Sequence, residues 1–189
     1  GVGFLEHFGL GVGVVGLDGR PVRRMFLNVA SFGLSGRVDL AVNRSTKALG
    51  GFGSFLIGTL RTLATYRPQT VRLRVDDGEW EEQRIFCVAA ANGRYFGGGM
   101  EIAPLARVDD GCLDLVTLGA LDLRTILAVA PRIYRGAHLE LEGVDLVRAA
   151  RLEAESEEEV LIDLDGEMPG RLPARIELVP AALKLEVRY

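Results

Sequence analysis

A mainly β, sandwich-like fold with two or three inserted helices is what this sequence predicts, and three observations carry it. Short apolar or alternating runs recur along most of the chain, turn-forming Asp-Gly and Asn-Gly pairs and prolines separate them, and helical spacing is confined to a few stretches. The 189 residues, 48% hydrophobic and 25% charged, suffice for one sizeable core, so a single domain is expected.

Residues 1–22 read as a leader or inter-domain segment, and 23–189 as the β-rich domain. The opening "GVGFLEHFGLGVGVVG" has no basic n-region and is too short and glycine-rich to span a bilayer. Its Gly11, Gly13 and Gly16 spell GxGxxG. A dinucleotide-binding turn needs a helix opening on the third glycine, whereas here "LDGRP" follows at once and predicts a turn.

From Arg23, "RRMFLNVASF" is a strand that leaves the sheet at "SFGLSG". Residues 34–48 can be helical. "SFLIGTLRTLATY" has the stronger helical pattern, with Phe55, Leu56, Leu60, Leu63 and Ala64 on one face, Ser54 as cap and Pro68 beyond its end. "VRLRV", "DDG" and "EWEEQRIFCVAAA" form a hairpin, and the wholly apolar end of the second arm predicts a central strand. "CLDLVTLG" is a further strand. "DLRTILAVAPRIYRG" is a helix from Asp122, bent or interrupted by Pro131 and closed by Gly136. "VDLVRAARLEAES", "EEVLIDLDGE", "ARIELV" and "ALKLEVRY" are all β, and the acidic run "EAESEEE" reads as the solvated tip of a hairpin rather than a metal site.

The net charge of −4 gives no reason to expect nucleic acid as a partner. Lys47 and Lys184 are the only lysines, so arginine carries nearly all the positive charge, which reads mainly as a lineage bias. Cys87 and Cys112 sit in apolar runs as small hydrophobes and suggest no disulfide framework, which points to a reducing cytoplasm. No Walker motif and no His/Cys cluster appears, and His7 and His138 stand far apart.

"AANGRYFGGGMEIAPLARVDDGCLDL", residues 90–115, is the unusual stretch. Asn92-Gly93 suits a tight turn. Gly97, Gly98 and Gly99 suit either an irregular sheet corner with positive φ or a ligand lying against the main chain. "RVDDGCLD" reads either as an Asp-Gly turn or as a small magnesium or calcium loop completed by main-chain carbonyls.

Taken in order, "FLNVASFGLSG", "LRTLATYRPQTVRLRVDD", the 90–115 stretch, "RIYRGAHL" and "LIDLDGE" resemble the carboxy-terminal domain of the diacylglycerol kinase, sphingosine kinase and bacterial lipid kinase family, over roughly residues 23–188. The resemblance implies the second, lipid-facing domain of a two-domain kinase that phosphorylates a lipid hydroxyl. It implies Glu167 as the base. Asn92, Gly93, Gly97, Gly98, Gly99 and Asp165 then belong to the substrate cleft, with Asp163 able to assist. A magnesium site falls on Asp110 and the main-chain carbonyls of Arg107 and Cys112. ATP would be held by an amino-terminal domain with a Gly-Gly-Asp-Gly-Thr loop, which is missing from this sequence, so the chain alone is expected to be inactive and to be a fragment of a longer kinase. Its expected partners are that domain and a lipid at the membrane surface, with a homodimer left open and a cytoplasmic, peripheral location. The competing reading is a stand-alone β-domain that binds lipid or protein without catalysis.

Overall fold

The computed structural model describes residues 3–17, 20–38, 65–121 and 123–188. Among the described residues ten strands form one sheet: β1 (Gly3–Leu17), β2 (Arg20–Phe26), β3 (Val29–Gly33), β4 (Gln69–Val75), β5 (Glu81–Ala91), β6 (Leu113–Gly119), β7 (Val144–Ala149), β8 (Arg151–Glu155), β9 (Leu161–Leu164) and β10 (Glu167–Arg188). They run in the order β2-β1-β10-β8-β4-β5-β3-β9, and β9 pairs back onto β10. Six strands therefore close on themselves. The β1–β2 ribbon extends from β10, and β6–β7 extends from β5. Every pairing is antiparallel.

The start of the chain corrects the expected leader. Residues 3–17 are a strand that pairs along β10 from Gly3↔Arg188 to Gly16↔Arg171, and Val12 and Val15 are buried. Alternating apolar residues and glycines gave this ribbon the composition of a linker; β2 pairs with its second half from Gly11, and the distant β10 pairs with it along nearly its whole length. Its glycines are packing sites: a Cβ on Gly11 would stand inside the Phe26 ring, and one on Gly13 would press Leu164 at 3.3 Å. The GxGxxG spacing thus lies in a strand, where a dinucleotide-binding turn needs a helix opening on the third glycine.

Why the end of β5 is apolar on both faces follows from its place. Ile85, Val88 and Ala90 point into the closed barrel with Phe32, Leu73, Leu152, Ile162 and Ile176. Phe86, Cys87, Ala89 and Ala91 point outward into a second core, covered by helix α1 (Leu123–Ile133) through Ile126 and Ile133. Pro131 lies within α1.

The acidic run is not a hairpin tip. β8 pairs with β10 and β4 whereas β9 pairs with β3 and β10, so residues 156–160 connect two different parts of the barrel. They are stitched to the start of β4: Ser156 Oγ donates to the Thr70 carbonyl (2.6 Å), Thr70 N–H donates to Glu158 Oε1 (2.7 Å), and Gln69 Nε2 donates to the Glu159 carbonyl (3.0 Å). Of the expected helix over 34–48, residues 34–38 are helical and the remainder lies outside the described residues. The helix over 54–66 also falls almost wholly outside them.

Candidate functional site

The segment "LDGE" folds as the turn of the β9–β10 hairpin. Leu164 pairs with Glu167, and Asp165 and Gly166 between them have φ of 51° and 86°, the two-residue left-handed turn that Asp-Gly favours. The Asp165 carboxylate turns to the start of the neighbouring strand β3. It accepts the backbone N–H groups of Leu27 (2.6 Å), Asn28 (3.1 Å) and Val29 (2.9 Å), while Asp165 N–H donates to the Val29 carbonyl (3.0 Å).

Asn28 joins this hairpin to the glycine-rich stretch. Its carbonyl accepts the N–H groups of Asn92 and Gly93, both at 2.9 Å, and its side-chain amide donates to the Tyr95 carbonyl. Asn92 is 1% exposed and donates through Nδ2 to the carbonyls of Gly9 (3.1 Å) and Leu27 (2.7 Å), so it ties β1 to the β2–β3 junction. A Cβ on Gly93 would collide with Asn28 Oδ1. Gly97, Gly98 and Gly99 have φ of 48°, 79° and 93° and connect Phe96 to Met100, which exchange two backbone hydrogen bonds of 3.0 Å. The three glycines make a left-handed turn that side chains would strain.

Beside these loops, between the β3–β5–β6 face and α1, lies a cavity of about 490 Å³. Its wall is dominated by Leu34, Phe86, Phe96, Met100, Ile126 and Ile133, and its non-sulfur polar side chains are Asn28, Ser35, Asp163 and Asp165. Ser31 Oγ donates to Asp163 Oδ2 at 3.3 Å, which fixes that buried carboxylate. Asp165, Gly97 and Gly98 of the expected cleft line the cavity, whereas Asn92, Gly93 and Gly99 do not. Glu167 is exposed on the first residue of β10, next to the cavity-lining Gly166.

The residues expected around a metal form a separate cluster at the start of β6. The Arg107 guanidinium pairs with Asp109 (2.9 Å), and that hydrogen bond holds the Asp109 carboxyl below its ordinary range. Asp110 Oδ1 accepts the Cys112 N–H at 3.1 Å across Gly111, and Oδ2 pairs with Arg148. Arg148 also reaches Asp114 Oδ1 at 3.3 Å, while the other oxygen of this 1% exposed carboxylate has no hydrogen-bond partner among the described residues. Burial pushes the Asp114 carboxyl up, and Arg148 opposes the shift. Three of the four oxygens of Asp110 and Asp114 are engaged by the Cys112 N–H and Arg148, leaving Asp114 Oδ2. The oxygens are hard donors of the kind magnesium takes, but no group of three or more ligating side chains gathers here among the described residues, and Arg148 supplies the positive charge.

Sequence reasoning missed Asn28 and the cavity wall. Asn28 had a signal, an amide side chain between the apolar neighbours Leu27 and Val29, but the wall is contributed by elements far apart in the chain.

Residues 28–187 match the family described as the YegS C-terminal NAD kinase β sandwich-like domain. The chain belongs to that family. A diacylglycerol kinase of Mycobacterium tuberculosis (strain CDC 1551 / Oshkosh) is 34% identical to this YegS-type domain over 169 residues, covering 89% of the chain and 54% of the relative. A probable lipid kinase YegS-like of Xanthomonas oryzae pv. oryzae (strain MAFF 311018) is 30% identical over 177 residues, covering 93% and 57%. A crystal structure from Bacillus anthracis str. Sterne assigned to the diacylglycerol kinases superposes with a TM-score of 0.70 at 27% identity, covering 96% of the chain and 56% of that structure. The YegS-type domain thus spans about half the length of the curated relatives it matches.

Proposed function

We propose that this domain is the lipid-binding half of an ATP-dependent lipid kinase, in which the cavity beside α1 takes an acyl chain and Glu167 receives the proton of the lipid hydroxyl. The observation that carries the reading is the cavity itself: about 490 Å³, apolar in its wall, and lined where the β9–β10 turn meets it by Asp165 and Gly166, one residue from Glu167. Each methylene moved from water into such a wall contributes about 0.8 kcal/mol.

In the proposed reaction the lipid oxygen attacks the γ-phosphorus of ATP, its bond to phosphorus forms as the β–γ bridging bond breaks, and ADP departs. Glu167 accepts the hydroxyl proton. Asp165 stays with its three backbone amides and keeps the turn rigid, so the glutamate is delivered from a fixed strand end. On this reading ATP is held by a separate nucleotide-binding half of the kinase. On the same reading Asp110 and the main-chain carbonyls of Arg107 and Cys112 would hold magnesium, which would stabilise the β6–β7 end and take no part in the proton transfer.

A lipid-binding domain without catalysis uses the same cavity, and the two readings separate when the nucleotide-binding half is supplied and turnover is measured. The cavity is tested by titrating the chain with short-chain diacylglycerol. Ala130→Trp, on the α1 wall, is expected to weaken uptake at least about tenfold by filling the space a chain would occupy. Equal uptake by both proteins would place the lipid elsewhere.

A further inference from the structure

Among the described residues β2 is an edge of the sheet: it pairs there with β1 alone. The segment it opens, "RPVRRMFL" at 20–27, holds three arginines and no acid in a chain whose net charge is −4. Arg20, Arg23 and Arg24 are exposed, none joins an ion pair among the described residues, and the β1 residues opposite β2, 11–17, include no carboxylate. Between and beyond these charges stand two large apolar side chains in water, Met25 at 69% and Leu27 at 54% exposure. Tyr95, 49% exposed, is tied to the same corner through the Asn28 amide.

We propose that this edge and corner form a docking surface for an anionic phospholipid bilayer. Arginines meet the headgroup phosphates, while Met25, Leu27 and Tyr95 enter the interface. Charge complementarity selects the occupant. Exposed guanidinium groups with no ion pair among the described residues, beside exposed apolar side chains, match a surface with negative headgroups above an apolar interior. A second copy of the chain fits poorly, because antiparallel pairing of two β2 edges would set arginines against arginines, the usual device by which an edge strand resists self-pairing.

Continuity with the cavity supplies the second argument. Leu27 precedes Asn28, and Tyr95 precedes Phe96 and Gly97, and these three neighbours all line the cavity. A domain seated on this corner holds the rim of its lipid cavity against the layer from which a lipid must come. The inference rests on the reading of the cavity as a lipid site, and its test separates the two.

The test is co-sedimentation of the chain with vesicles of phosphatidylcholine alone and vesicles enriched in phosphatidylglycerol. Wild-type protein is expected to partition onto the anionic vesicles and to be released by salt. Arg23→Gln with Arg24→Gln should weaken that partition about tenfold to thirtyfold, and Leu27→Ser should weaken it about tenfold. The arginine variant should take up short-chain diacylglycerol from solution as wild type does, with an unchanged melting temperature. Equal partition onto both vesicle types, or unchanged partition of the arginine variant, overturns the proposal. A wild-type dimer in sedimentation equilibrium that the arginine variant dissociates, without any vesicle binding, assigns the edge to a second copy and also overturns it. Vesicle binding that depends on Arg23 and Arg24 without uptake of diacylglycerol upholds the docking surface and removes the acyl-chain reading alone.

Discussion

The backbone N–H of Leu27 donates a 2.6 Å hydrogen bond to Asp165 Oδ2, joining two loops 138 positions apart in the sequence. With the bonds from Asn28 and Val29, one carboxylate holds the β2–β3 junction against the β9–β10 turn. A residue that reads as a cleft carboxylate in sequence is first a structural clamp.

Asp165→Ala is therefore expected to destabilise the fold by about 1–3 kcal/mol, since three backbone donors lose a charged acceptor and water recovers part of the loss at this exposed corner. Asp165→Asn should cost less, because asparagine keeps an acceptor oxygen and tolerates the positive φ. Urea denaturation of the chain measures both, and an alanine variant as stable as wild type would remove the clamp.

Buried His138 makes a pH prediction. Its Nε2 donates to the Ile102 carbonyl at 2.9 Å, and burial pushes its pKa below the ordinary 6.5. A depressed folded-state pKa contributes stability that is present above 6.5 and lost as pH falls, because the unfolded chain takes up the proton first. His138→Gln should be less stable near neutrality but should lose less between about pH 7 and about pH 5. Parallel pH profiles for the two proteins would show that His138 does not titrate in this window.

Glu167→Gln keeps the shape of the side chain and removes its basicity. Built into the complete kinase, it should lower kcat by about 100-fold or more with little change in lipid binding or folding. Near-normal kcat across a broad pH range would move the base to the nucleotide-binding half.

The chain by itself should neither bind magnesium-ATP nor turn it over, because the described residues contain no phosphate-cradling loop. Calorimetry with magnesium-ATP is expected to give no specific heat, and micromolar affinity would reject the division of labour between two halves.

Asp110→Asn removes the partner of Arg148 and one of two neighbouring carboxylates. In the complete kinase, stability and activity should fall together, with partial rescue by excess magnesium. Full activity at an unchanged melting temperature would leave Asp110 without the supporting role.

Much of the β content was determined by local sequence. Alternation in "VRLRV", the apolar run ending β5, and the Asp165-Gly166 turn act between near neighbours, through side-chain periodicity and backbone sterics, so they are readable without a partner. The family resemblance likewise rested on contiguous motifs. The tertiary structure decided what those motifs do. Residues 3–10 are strand through the distant β10, which also flanks 11–16 opposite the local partner β2, and the acidic run is a connector because β8 and β9 do not pair with each other. Asn92 and Asp165 looked alike as cleft polar groups, yet one is enclosed by the Gly9 and Leu27 carbonyls and the other lines the cavity while gripping three amides. Each of those outcomes depends on backbone groups brought together from distant positions, and pairings of that kind leave no periodic trace in the chain.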